Sequence, residues 1–88
     1  MFLRRIQIEW TDSEGKWQPC PLRWIDNFAM RSFTADAVFD DTLPVADGVL
    51  EVGFRVPLAR LCVALEDWFR RKSYIQKDAH LRVTEIAC

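Results

Sequence analysis

From Val49 to Lys72 the chain carries two hydrophobic periods joined at one peptide. Leu50, Val52, Phe54 and Val56 alternate with Glu51, Gly53 and Arg55, and a period of two places the two sets on opposite faces of a pleated strand. Pro57 follows. It fixes its own φ near the helical value, lacks the N–H that a first helical turn leaves unpaired, and pushes Val56 towards extended geometry. Leu58, Leu61, Cys62, Leu65, Trp68 and Phe69 then recur at i, i+3, i+4 and i+7, which predicts a helix over 57–72 with one apolar stripe. Glu66 with Arg70 and Asp67 with Arg71 are acid-before-base pairs four apart, each worth about 0.2–0.5 kcal/mol in a helix. Arg70, Arg71 and Lys72 suit the negative pole of its dipole.

The N-terminal segment alternates as well. Ile6, Ile8 and Trp10 share one parity and Arg5, Gln7 and Glu9 the other, so residues 2–10 read as a half-buried strand. Thr11–Lys16 is a turn cluster around Gly15, and Trp17 opens a second extended run. A hairpin closed over that loop is expected to bring Trp10 and Trp17 together. The Pro19-Cys20-Pro21 interruption lacks two ladder donors and marks an edge, bulge or bend. Residues 22–39 carry mixed signals: the alternation from Ala29 to Phe39 favours strand, whereas Trp24, Ile25, Phe28 and Ala29 fit helical spacing. Phe33, Thr34, Val38 and Phe39 tip the reading to strand. Asp40 to Gly48 reads as a loop ending in an Asp-Gly turn. Ser73 to Ala79 is a polar connection, and His80 to Ala87 a last short strand. The predicted fold is a single α+β domain over residues 1–88, a mostly antiparallel sheet of four to five strands with one amphipathic helix packed on it, in the order β-β-β(-β)-β-α-β.

Composition fits one small domain with an aromatic core: 88 residues, half of them apolar, with four Trp and six Phe. A net charge of −1 argues against a non-specific nucleic-acid binder, whose affinity comes from phosphate neutralisation. Three cysteines, Cys20, Cys62 and Cys88, do not make a secreted disulfide framework. Cys62 falls on the helix stripe as a small hydrophobe, and Cys20 between prolines is expected in a rigid, exposed bend. The N-terminus has arginines with no apolar run after them, so no signal peptide is read there. No run approaches a membrane span. The expected setting is the cytoplasm.

The motifs of catalysis are missing. The one histidine, His80, is tied to no Ser or Cys by a nucleophile–base motif. Cys20, Cys62, Cys88 and His80 lack metal-ligand spacing, the aspartates of 36–47 lack the order of a calcium loop, and the three glycines form no phosphate loop. No catalytic residue, cofactor or metal is assigned, and the chain reads as a non-enzyme.

Charge is segregated, and this gives the sequence its functional colour. Asp36 to Glu51 holds five acids and no base, whereas Arg70 to Arg82 holds five Lys or Arg against Asp78. Asp36, Asp40, Asp41, Asp47 and Glu51, with Trp17 and Trp24 as apolar anchors, form the first candidate surface. Its partner would be a larger protein or complex, such as one with a basic nucleic-acid-binding groove, because complementary charge selects the partner and speeds association and exposed tryptophans anchor interfaces. The alternative is nucleic acid held by Arg70, Arg71, Lys72, Lys77 and Arg82 with Tyr74 as a stacking ring. A third is a structural homodimer paired through an edge strand. No membrane partner is expected. By physical type rather than motif, the expected function is that of small stoichiometric inhibitors that occlude a partner's surface, the type of toxin immunity proteins and of phage anti-defence or anti-CRISPR proteins.

Overall fold

The computed structural model describes residues 4–24, 39–54 and 57–86. Strand β1 (Arg4–Thr11) is the spine on which the other elements are assembled. Its odd-numbered residues exchange backbone hydrogen bonds with β5 (Leu81–Glu85): Thr11 donates to His80 O at 3.0 Å and Ile86 donates to Arg5 O at 2.9 Å. Its other side is shared in tandem. β4 (Val49–Phe54) pairs antiparallel with Arg4–Gln7, and the short β2 (Trp17–Pro19) with Glu9–Thr11. β3 (Phe39–Ala46) pairs with β4 and lies at that end of the sheet among the described strands.

The changeover from β4 to β2 falls at Ile8, where a closed hydrogen-bond circuit fills the gap. Ile8 donates to Gly48 O at 2.7 Å, Gly48 donates to Cys20 O at 2.7 Å, and Cys20 donates to Ile8 O at 3.0 Å. Buried donors and acceptors that the ladder would leave orphaned are thereby paired. Gly48 (φ +81°) supplies the left-handed turn between β3 and β4 that brings its backbone there.

Helix α1 (Leu58–Arg71) covers one face of the sheet. Pro57 stands just outside it, at φ −57° and ψ 148°, and its carbonyl accepts from Arg60 and Leu61. Leu61, Leu65, Trp68 and Phe69 are buried against Ile6 and Ile8 of β1 and Leu50 and Val52 of β4, each full burial of such a side chain contributing about 1.5–3 kcal/mol. The helix ends in a Schellman turn: Tyr74 donates to Phe69 O at 2.9 Å and Ser73 donates to Arg70 O at 3.0 Å, with Ser73 at φ 60°. That turn throws Tyr74 back onto Phe69, and its ring lies nearly parallel to Trp24, at 4° and 5.1 Å between centroids. Trp24, at the end of a 3-10 turn (Leu22–Trp24), also meets Trp10 at 5.1 Å and Phe69 at 5.5 Å. Strand, turn, helix and post-helix loop thus close on one indole.

The observed class and element order match the expected α+β sheet with one helix. Three local expectations are corrected. Residues 40–46, expected as loop, lie in strand β3: acids and Pro44 suit its place at the end of the sheet among the described strands, and register shifts at Phe39/Asp41 and Pro44/Ala46 absorb the misfit. Trp10 and Trp17 do not meet. Trp10 pairs with Gln18 and Thr11 with Trp17, so a one-residue offset sends the two indoles to opposite faces. Ile75 and Ala79 of the expected polar connection are buried. The reading of 22–39 as strand falls mostly on residues 25–38, outside the described residues.

Candidate functional site

The sheet face turned away from the helix carries the odd-numbered residues of β1, and on it stands Trp17, 39% exposed. The Arg82 guanidinium lies over its ring at 4.1 Å from the centroid, inside the range of a cation–π contact. Arg82 also donates from Nε (3.0 Å) and Nη2 (2.8 Å) to Glu9 Oε1. Further along the same face Arg5 Nη2 meets Glu51 Oε1 at 2.6 Å, the pair being directly opposite in the β1–β4 register. The Arg82–Glu9 pair therefore borders the exposed indole, and the Arg5–Glu51 pair lies further along the same face.

Trp17 and Arg82 also border an open groove of about 510 Å³ that runs between the helix and the edge of β5 that is unpaired among the described residues. Leu58, Ala59 and Cys62 line its helix side, and Leu81 and Val83 its strand side. Since even-numbered residues of β5 face β1, the backbone groups of Leu81, Val83 and Glu85 point to this edge. Cys62 occupies part of it: its Sγ donates to Leu81 O at 3.4 Å. Burial raises this thiol's pKa, Glu66 adds to the rise, and a backbone hydrogen bond from Val83 opposes it. The edge is thereby partly shielded against strand pairing. Sequence reasoning missed the groove, because neither wall is complete until helix and β5 dock.

The acidic residues are distributed as follows. Asp40 and Asp41 lie in β3, Asp47 is exposed in the β3–β4 turn, and Glu51 is half-buried beside Arg5. Asp36 lies outside the described residues. The backbone circuit at Gly48 and Cys20 carries the Asp47 turn to the end of β2, so the acidic hairpin and the strand bearing Trp17 are neighbours. Trp24 is corrected: at 6% exposure it is core, enclosed by the aromatic cluster, and offers no anchor to a partner.

The basic set is dispersed. Arg70 pairs with Glu66 and donates to Ala79 O at 2.8 Å, and Arg71 pairs with Asp67 at 3.5 Å. Lys72 lies over the Trp68 ring at 5.5 Å, and Tyr74 stacks on Trp24 in the interior cluster rather than offering an open ring. Lys77 is exposed, whereas Arg82 faces the other side of the sheet against Glu9 and Trp17.

Cys20, expected in an exposed bend, is buried at 1% because its backbone completes the circuit with Ile8 and Gly48. Burial pushes its thiol from 9.0 up to about 12, and the nearby Asp47 charge adds to the rise. A thiol held neutral is a poor nucleophile. Native protein treated with iodoacetamide at pH 8 is expected to label Cys20 only after denaturant is added, read by mass spectrometry; prompt native labelling would contradict the burial. The linked stability has a definite sign. The folded pKa is raised, so the contribution is whole below the unfolded thiol's pKa and is lost as pH climbs from about 9 towards 12.

Among the described residues no group of three His, Cys, Asp or Glu side chains is placed to hold a metal ion, and no helix is long and apolar enough to cross a membrane. His80 is exposed at the start of β5, its N–H donating to Thr11 Oγ1 at 2.8 Å. Comparison with protein-family models, with curated proteins and with solved structures finds no match for this chain.

Proposed function

We propose that the protein is a non-catalytic binding module that occludes the working surface of a larger protein partner, in the manner of immunity proteins and phage anti-defence inhibitors. The observation that carries this reading is Trp17: a large indole 39% exposed on the outer sheet face beside the Arg82–Glu9 ion pair. Aromatic anchors with a polar rim are the usual source of binding energy at protein interfaces. The neighbouring hairpin, with Asp40, Asp41 and Asp47, adds negative charge that would steer a basic partner surface into place.

The test is a capture experiment run in pairs. Tagged wild-type protein and Trp17→Ala are each used to capture partners from a lysate of the host cells, with and without nuclease. One protein recovered by the wild type after nuclease, and reduced by roughly 30-fold or more with Trp17→Ala, is the expected result for a hot-spot anchor. Recovery of nucleic acid, loss of every partner after nuclease, or equal recovery by both proteins would each overturn the reading.

A further inference from the structure

Resting on the reading of Trp17 as the anchor, we infer that Glu9 and Arg82 are positioning residues that hold its indole in one orientation before any partner arrives. Three adjacent strands present the three side chains on one face: Arg82 is opposite Glu9, Glu9 is opposite Pro19, and Trp17 is opposite Thr11. The chain starts at a carboxylate only 20% exposed on the central strand. Its Oε1 accepts from both Nε and Nη2 of Arg82, at 3.0 and 2.8 Å. Two donors converging on one acceptor orient a planar guanidinium in a way a single contact does not. The oriented group then lies 4.1 Å over the Trp17 ring, where its attraction to the π face restrains an indole carried on a strand of only three residues.

The consequence is a division of labour across the ring. The protein's own arginine holds the ring, and the area the ring leaves exposed is available to the partner. Arg82, which in sequence belongs to the basic 70–82 segment, is thereby a component of the Trp17 surface. Holding an anchor rigid before association lowers the ordering cost of binding, an effect of about two- to tenfold in affinity for one side chain.

Fluorine NMR of the full chain labelled with 5-fluorotryptophan tests this, with four resonances for four tryptophans and Trp17→Phe identifying one of them. Arg82→Ala and Glu9→Gln are each expected to move the Trp17 resonance towards the position of free fluorotryptophan while the other three stay in place. A merely structural role would move the buried tryptophans as well. A Trp17 signal unmoved in both variants overturns the inference. Should Arg82→Ala collapse all four signals by unfolding, Glu9→Gln carries the same test. In the capture experiment both variants should weaken recovery by about two- to tenfold, less than Trp17→Ala. Undiminished capture by Trp17→Ala would overturn the anchor reading instead, and the resonance positions, measured without any partner, separate the two failures.

Discussion

Trp24→Ala is expected to lower the unfolding free energy by about 3–5 kcal/mol, the usual loss for a buried tryptophan truncated to alanine. Domains of this kind are stable by only about 5–15 kcal/mol in total, so the variant should retain a fraction of its stability at best. The reason lies in where the indole sits. It is 6% exposed, parallel to Tyr74 at 5.1 Å, and in contact with Trp10 of β1 and Phe69 of α1. Removing it opens a cavity bordered by three aromatic rings from three separate segments, and a site walled by distant elements collapses poorly. Trp24→Phe keeps a ring for Tyr74 to stack on and should cost clearly less. Far-UV circular dichroism during urea unfolding reads both. A loss below about 1 kcal/mol for Trp24→Ala would mean that the indole is not enclosed.

Gly48→Ala should be nearly as damaging, at about 2–5 kcal/mol, by a different mechanism that joins backbone strain to overpacking. Gly48 has φ +81°, and a Cβ placed on it would lie 2.9 Å from Pro19 Cβ, 3.2 Å from Ile8 O and 3.3 Å from Pro19 Cα. None of these atoms is the far end of a flexible side chain. Relief requires moving the backbone, and the backbone there is the circuit that joins Ile8, Gly48 and Cys20. Gly15 provides the control, with φ +78° and nothing within 4 Å of an added Cβ. Gly15→Ala should therefore show only the left-handed penalty of roughly 1–2 kcal/mol. Equal urea midpoints for the two variants would show that the close approach at Gly48 contributes nothing.

Both effects are invisible in the sequence for the same reason. Asp47-Gly48 is legible as a turn, because a glycine between two extended runs needs no tertiary information to interpret. That the turn abuts Pro19, and that its amide pairs with Cys20, depends on β2 and β4 sharing one side of β1. Trp10 shares the parity of Ile6 and Ile8, but Trp17 and Trp24 stand among mixed polar and apolar neighbours, so local pattern gives no basis for setting those two apart from it. Register sorts them: Thr11 opposite Trp17 puts Trp10 inside and Trp17 outside. The same register carries Arg82 over Glu9 to the Trp17 ring, which removes it from the basic segment it belongs to by sequence. Residues 40–46 read as loop because acids and proline are turn-like in isolation; only pairing with β4 makes them strand.

What the sequence by itself determined is the set of elements with strong periods. It placed β1 and β4 by alternation, a helix over 57–72 against the observed Leu58–Arg71, the buried stripe of Leu61, Leu65, Trp68 and Phe69, and the α+β class. These follow from the geometry of one segment, where side-chain direction repeats every 2 or 3.6 residues whatever the segment later touches. The tertiary structure alone decided the split of β1 between β2 and β4, the burial of Cys20 and Trp24, the groove beside β5, and the exposure of Trp17 beneath Arg82. Each of these is a relation between segments far apart in the chain, and burial is a property of what packs against a side chain, which its own neighbours in sequence do not specify.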